Sequence, residues 1–299
     1  VIRYRAFTKE YDGHRAVAEL SLDVPDGAIV ALLGPNGSGK TTTIKAAAGL
    51  VRPTSGSVLL GEPGRPAADP AARRACSFLP QRAAFPEVLS GREVVEFYRR
   101  LRGARADATD RVLKFASLNG SGDRPVGTYS GGMLQRLGLA VAMLPEASVL
   151  LLDEPTAALD PDGLCALYGL LEERRKAGAS VLFSSHQMGD VERLADHIAV
   201  LAEGRLRAVL TARELADRLS DRGVMRVRLA ARVAGLLDGV RALAPKALWF
   251  GDELIVPGPA SSRPAVLDCV RAAGAEIRGL TAEEGRLDTF YRELVEERP

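Results

Sequence analysis

An α/β fold is predicted by three stretches in which a short apolar run ends in polar or charged residues. Ala28 to Leu33 runs into Gly34-Pro35-Asn36-Gly37-Ser38-Gly39-Lys40-Thr41, Val149 to Leu152 into Asp153-Glu154, and Ser180 to Phe183 into Ser184-Ser185-His186. Such runs suit parallel strands buried on both faces, and α/β sheets gather ligands at the carboxyl ends of their strands. The first stretch, followed by a helical pattern, has the form of a phosphate-binding P-loop. Its glycines let the backbone turn tightly with N–H groups pointing inward, where they and the positive end of the next helix can hold phosphate oxygens. Phosphate binding is therefore assigned to Asn36, Gly37, Ser38, Gly39, Lys40, Thr41 and Thr42. Lys40 reaches for the β- and γ-phosphates and the Thr41 hydroxyl ligates Mg²⁺. A nucleoside triphosphate is the expected ligand.

Taken in order, Val1 to Val24 alternates in short apolar segments broken at Tyr11-Asp12-Gly13 and Pro25-Asp26-Gly27. That pattern predicts β-strands joined by tight turns. After the P-loop, Thr43, Ile44, Ala46, Ala47 and Leu50 cover one side of a helix that ends near Gly49 and Arg52-Pro53. Val58 to Leu60 and Cys76 to Leu79 are further strands. Gln81, just past the second, is placed to offer a carbonyl oxygen to the metal and the attacking water. From Arg82 the strand signals stop, and Arg92 to Leu101 and Asp107 to Leu118 predict helices.

Ser130 is a good helix N-cap, and Gly131 and Gly132 behind it allow a ligand to approach the first free N–H groups, which makes a second anion site. Asp153 and Glu154 leave a buried strand and need partners. Asp153 is assigned to the Mg²⁺ water shell, and Glu154 to the water that attacks the γ-phosphate. His186 ends its own strand where it can touch the γ-phosphate.

Composition bounds the class. The chain has 299 residues, 46% of them hydrophobic, enough for a large core and about two domains. Lys plus Arg number 40 against 38 Asp plus Glu, so no cationic excess suits a nucleic-acid backbone, and no nucleic-acid partner is expected. No apolar stretch approaches the roughly 20 residues that cross a bilayer, and Arg3, Arg5, Lys9 and Glu10 make a poor secretory signal. A cytoplasmic location follows as an expectation. Cys76, Cys165 and Cys269 have no close Cys partner and are expected as buried thiols, while His14, His186 and His197 form no metal pattern. Mg²⁺ is the single metal expected.

Beyond about Ser220, Val224 to Leu229 predicts a strand, Ala231 to Leu243 a helix, Leu248 to Phe250 and Leu254 to Val256 a hairpin, Pro264 to Ala273 a helix, and Glu276 to Leu280 a strand. The result is a small C-terminal α+β domain over 221–299, read as a regulatory or dimer-stabilising appendage to a domain over 1–220. Thr281 to Leu294, with Leu287, Phe290, Tyr291 and Leu294, has the spacing of an amphipathic helix.

The succession of the P-loop, Tyr129-Ser130-Gly131-Gly132-Met133 with Leu134 to Ala140, and Val149 to Glu154 with Pro155-Thr156-Ala157-Ala158-Leu159-Asp160 resembles the ATP-binding cassette (ABC) family over about residues 1–220. The resemblance implies a P-loop NTPase with an antiparallel β subdomain and a helical subdomain over about residues 82–145. It makes the Ser-Gly-Gly segment the signature motif, the acidic strand Walker B, and Ala158 to Asp160 the end of the D-loop. Gln81, Tyr11 and His186 fall where such proteins keep the Q-loop glutamine, the adenine-stacking aromatic and the switch histidine. It further implies two copies sandwiching two ATP molecules head to tail, each Ser130-Gly131-Gly132 completing the other's pocket. Ala83 to Ser90 would face a transmembrane permease that holds the chain on the inner face of the cell membrane.

Tyr129 and Met133 depart from the Leu and Gln more usual in the family. The appendage resembles that of single-cassette exporters. Within these, Leu89-Ser90-Gly91-Arg92-Glu93, Thr128-Tyr129-Ser130 and Gln135-Arg136-Leu137-Gly138-Leu139 resemble the ATPase subunit that assists nitrous oxide reductase maturation, with antibiotic, lipid or polysaccharide export as the competing readings. A soluble cassette ATPase of DNA repair or translation fits less well. Here one P-loop precedes one signature with no sustained heptads between them. A small GTPase is disfavoured because no Asn-Lys-x-Asp segment is present.

Overall fold

A computed structural model of the chain describes residues 1–157, 159–285 and Phe290. The chain divides into two compact units, Val1–Ala212 and Arg213–Pro299.

The first unit is built on a six-stranded sheet in the order Arg205–Leu210, His197–Ala202, Ile29–Leu33, Ser180–Ser185, Val149–Asp153, Cys76–Leu79. Only the edge hairpin of the first two strands is antiparallel; the other pairings are parallel. Ile29–Leu33, Val149–Asp153 and Ser180–Ser185 are buried at every position, as expected of central strands covered on both faces. Leu33 lies opposite Ser185 and Asp153 opposite Ser184, so the three carboxyl ends are level and whatever follows each strand meets along one rim.

Helix Lys40–Ala47 follows the P-loop and buries Ile44, Ala46 and Ala47 against Leu32, Leu151 and Leu182. Each large side chain so buried contributes about 1.5–3 kcal/mol over leaving it exposed. Gly49 ends the helix with φ +70, its N–H donating to the Ala46 carbonyl (3.1 Å) and that of Leu50 to the Lys45 carbonyl (3.0 Å), a Schellman pair. A Cβ at Gly49 would lie 2.3 Å from the Ala67 carbonyl oxygen, so only glycine fits.

A second sheet, antiparallel in the order His14–Val24, Ile2–Tyr11, Ser55–Leu60, Arg65–Pro66, carries Ile2, Tyr4, Phe7 and Leu20 into the same core. The Tyr4 hydroxyl donates to the Thr43 carbonyl (2.9 Å) and ties this sheet to the P-loop helix. Helices Gly91–Arg102, Ala108–Phe115 and Gly131–Met143 occupy the segment between the Cys76–Leu79 strand and the acidic strand. The first opens with a capping box: Ser90 Oγ accepts from the Glu93 N–H (3.2 Å) and Glu93 Oε2 from the Ser90 N–H (2.8 Å). No helix among the described residues is long and apolar enough to cross a membrane.

The second unit has an antiparallel sheet in the order Leu248–Phe250, Glu253–Pro257, Val224–Leu229, Ile277–Glu283, with helices Leu236–Leu243 and Arg263–Ala272 interleaved in the chain. That is a βαββαβ arrangement of the ferredoxin-like kind. Its core joins Met225, Val227, Leu254 and Val256 of the sheet to Val240, Val266 and Val270 of the helices. The unit begins ahead of the expected boundary at residue 220: Leu219, in the helix Ala212–Ser220, accepts from the Gly285 N–H through its carbonyl (2.8 Å).

Several expectations are corrected. The helix expected from Ala231 starts at Leu236, after Gly235 at φ +75. The preceding turn is held out of the helix by Arg232, which stacks over Trp249 (5.3 Å) and donates to the Gly251 carbonyl (2.7 Å). Thr281 to Glu283 continue the last strand, paired with Val224 to Arg226, and do not open a helix. Of the expected terminal helix, Leu287, Tyr291 and Leu294 lie outside the described residues, as does Ala158; Phe290 is helical and buried. Of the cysteines only Cys76 is buried, while Cys165 is exposed on its helix and Cys269 half-buried.

Candidate functional site

The P-loop is shaped by close backbone approaches. A Cβ at Gly34 would lie 2.3 Å from the Leu201 carbonyl oxygen and one at Gly39, at φ +99, 2.7 Å from that of Ala16. Lys40 is buried and its Nζ donates to the carbonyls of Gly34 (2.7 Å) and Pro35 (3.0 Å), which brace the ammonium across the loop. Burial pushes its pKa down, opposed by the charges of Glu154 and Asp153. The Ser38 hydroxyl is buried without a hydrogen-bond partner among the described residues. Asn36 and Gly37 stand exposed at the tip.

These residues open on a cleft of about 430 Å³ whose lining joins Asn36 to Thr42 with Tyr11, Gln81 and Glu154, and adds His14 and Ala16. The Tyr11 ring is 42% exposed, with Lys9 Nζ 4.8 Å from its centre, so a face remains available for stacking. Gln81 is exposed.

The two carboxylates are held differently. Asp153 is 1% exposed; its Oδ1 accepts from Ser184 Oγ (2.6 Å), while Oδ2 is buried with no partner among the described residues. An unpaired buried carboxylate oxygen is costly unless a cation or its water shell faces it. Glu154 adopts φ +54, a region that costs a non-glycine residue about 1–3 kcal/mol. Its N–H donates to Ser184 Oγ (2.9 Å), and Oε2 lies 2.8 Å from His186 Nδ1. His186 does not line the cleft directly; it is largely exposed and reaches the site through Glu154.

Ser130 caps helix Gly131–Met143, its Oγ accepting from the Met133 N–H (3.2 Å). Ser130, Gly131 and Gly132 are absent from the lining of the chain's own cleft. A Cβ at Gly131 would meet nothing within 4 Å, so packing within the chain does not require glycine there.

Tyr129 is buried, and its hydroxyl donates to the Ser121 carbonyl (2.7 Å). A Cβ at Gly91 would lie 2.3 Å from that hydroxyl oxygen, so the larger aromatic is accommodated by a glycine on the facing helix. Gly91→Ala should therefore destabilise the chain by about 1–3 kcal/mol through overpacking, and Tyr129→Leu in the same chain should recover most of it. Thermal unfolding of the two variants checks this; equal midpoints for wild type and Gly91→Ala would refute the contact.

A family model described as "ABC transporter" matches residues 17–157. The daunorubicin resistance ATP-binding protein DrrA3 of Streptomyces coeruleorubidus is 33% identical over 298 residues, 96% of this chain and 93% of that protein. The chain belongs to the ABC transporter family. The cassette is also 39% identical over 211 residues, 69% of each chain, to the uncharacterized ABC transporter ATP-binding protein YxlF of Bacillus subtilis (strain 168). Its fold matches the dimeric structure of a post-hydrolysis state of the ATP-binding cassette MJ0796 bound to ADP and Pi at TM-score 0.65. That match has 24% identity and covers 71% of this chain and 99% of that one. It is thus the ATP-hydrolysing, nucleotide-binding subunit type of this family.

Two groups of residues in the cassette escaped the sequence reading. Ser184 bridges Asp153 and the Glu154 N–H, and its signal was available: a hydroxyl at a fully buried strand position must have partners. Asp190 accepts from Thr156, Tyr168 and Ser185, and nothing local in the sequence announces that meeting.

Proposed function

We propose that two copies of this chain clasp ATP head to tail and hydrolyse it to drive a separate membrane permease. The observation that carries this reading is the exposed Ser130-Gly131-Gly132 helix start, which is built to receive an anion yet lies outside the chain's own cleft. A second copy would bring it to the γ-phosphate; the MJ0796 cassette, which shares the fold, is itself dimeric.

In that arrangement Lys40 and the N–H groups of Gly37 to Thr41 bind and orient the phosphates. Glu154 accepts a hydrogen bond from the attacking water and aligns it with the γ-phosphorus, while His186 holds the Glu154 carboxylate. The donor set fits Mg²⁺: Thr41, Gln81 and the unpartnered Oδ2 of Asp153 would hold the ion or its waters. When bound it neutralises charge on the β- and γ-phosphate oxygens. Tyr11 stacks on the adenine.

The permease would seat where Ala83 to Ser90 was expected to face it. Val88 there is 86% exposed, and nearby Leu50, Phe78, Tyr98 and Leu101 line an apolar groove of about 260 Å³. Through it the chain would sit on the inner face of the cell membrane. An exported organic compound is the cargo best supported, since the relative aligned along 96% of the chain is named for daunorubicin resistance. Assistance to nitrous oxide reductase maturation rests on three short segments. Two of them pack on each other through Gly91 and Tyr129 and so have a structural use independent of cargo. An adjacent permease gene beside a periplasmic copper-enzyme cluster would favour the maturation reading.

The dimer is tested with the hydrolysis-impaired Glu154→Gln chain. With ATP and Mg²⁺ it should sediment as a dimer, and adding Ser130→Arg should return it to monomer, because a bulky cation fills the approach to the helix start. A monomer at saturating ATP, or a dimer indifferent to Ser130→Arg, would overturn the arrangement. Co-purification with a detergent-extracted membrane protein separates the transporter from a soluble repair or translation ATPase.

A further inference from the structure

The least expected group in the first unit is Asp190, a carboxylate 4% exposed on helix Met188–Leu194. Its Oδ2 accepts from Thr156 Oγ1 (2.6 Å) and Ser185 Oγ (3.0 Å), and its Oδ1 from the Tyr168 hydroxyl (2.7 Å). Thr156 and Ser185 are themselves buried. Asp190 makes no ion pair among the described residues. Keeping a carboxylate out of water on hydroxyl donors alone is a poor route to stability, since an apolar replacement of similar volume is often neutral or better. Such a group is better explained by what it holds in place.

Each of two donors stands next to a hydrolytic residue. Thr156 follows Glu154 by one intervening proline, and Ser185 directly precedes His186. The two lie in different segments, after the Val149–Asp153 strand and at the end of the Ser180–Ser185 strand. Glu154 is fixed on its strand side by Ser184, but its carboxylate meets an exposed imidazole whose one side-chain hydrogen bond among the described residues is to Glu154. Ser185 Oγ also accepts from the Gln187 N–H (3.0 Å), so the backbone on both sides of His186 is referred to one hydroxyl, and that hydroxyl is aimed by Asp190. Tyr168 adds a third segment, helix Pro161–Lys176, through the hydroxyl it donates to Asp190, and burial and that carboxylate push its pKa up to about 12.

We infer that Asp190 is a positioning residue for hydrolysis: by clamping Thr156 and Ser185 to one carboxylate it sets the approach of His186 to Glu154. The inference rests on the proposed roles of those two residues and adds the device that holds them in register. Mispositioning a catalytic group by about an ångström is enough to cost ~10–10²-fold in rate.

The test uses the full chain and ATP, with kcat and KM measured separately. Thr156→Val, which keeps the shape and removes the donor, should lower kcat by ~10-fold or more while KM for ATP stays within about twofold. Thr156→Ser, which restores the donor, should recover turnover. Asp190→Asn should fall as Thr156→Val does, and the double variant should be no slower than the slower single, because both cut the same link. Thr156→Val at wild-type turnover would overturn the inference, and so would an equally slow Thr156→Ser. Should Asp190→Asn fail to fold, the Thr156 pair still decides. Glu154→Gln runs in parallel: if it is inactive while Thr156→Val is unaffected, only the Asp190 assignment fails; if it is active, the underlying hydrolytic reading fails first.

Discussion

Glu154→Gln is expected to leave ATP binding within about twofold and to lower hydrolysis by at least ~10²-fold. The geometry explains both halves. Glu154 is one of the residues lining the cleft, and its amide would fill the same volume and leave the loop's N–H groups and Lys40 in place to hold the phosphates. What the amide loses is the negative charge and one of the two acceptor oxygens, so its single carbonyl oxygen cannot both align the attacking water and keep the contact to His186 Nδ1 at 2.8 Å. The residue sits at φ +54 with its N–H bound to Ser184, so the backbone cannot swing another group into its place. Steady-state turnover with a parallel nucleotide-binding measurement checks this, and turnover near wild type would remove Glu154 from the mechanism.

Lys40→Ala should act on binding itself. The substitution deletes a buried ammonium that the Gly34 and Pro35 carbonyls aim at the phosphate cradle, and a charge-assisted contact of that kind is worth about 1.5–3 kcal/mol, or roughly 10–10²-fold in affinity. The sign of the pH dependence follows from burial, which lowers the Lys40 pKa. The charged form binds phosphate, so affinity should decline as pH rises through that lowered pKa, and the alanine variant should lack the decline. Titration calorimetry across alkaline pH reads both effects. Unchanged affinity in Lys40→Ala would contradict the role given to the lysine.

The parts of the site that were legible in advance are those whose chemistry is written in consecutive residues. Gly34 to Thr41 carries its own turn geometry, and close backbone approaches at Gly34 and Gly39 explain why glycine stands there. Ser130 announces a helix start because capping is a contact between residues three apart. The buried strands before Asp153 and Ser185 were visible as apolar runs. The helix from Ala231 was misread for the converse reason: apolar spacing continues through the turn, but Arg232 is claimed by Trp249 and Gly251, which belong to another strand pair.

Tyr129 shows the limit of a motif comparison. Its departure from the usual residue could not be judged from its neighbours, since what makes room for it is Gly91, far back in the chain. Ser184, Thr156 and Asp190 are likewise ordinary residues until strands and helices bring them together.

By itself, then, the sequence determined the fold class, the glycine-rich loop between strand and helix, the acidic strand end and the helix start capped by Ser130, because local turn chemistry and two-sided burial follow from residues near one another. Only the tertiary structure decided that Glu154 meets His186, that Ser184 joins Asp153 to the Glu154 N–H, that Asp190 gathers Thr156, Tyr168 and Ser185, and that the Ser-Gly-Gly helix start lies outside its own chain's cleft. Those outcomes depend on the register of the strands Ile29–Leu33, Val149–Asp153 and Ser180–Ser185, which levels their ends along one rim. Hydrogen-bond partners across such a rim are chosen by distances of a few ångströms between residues remote in the chain, and a linear pattern carries no such distances.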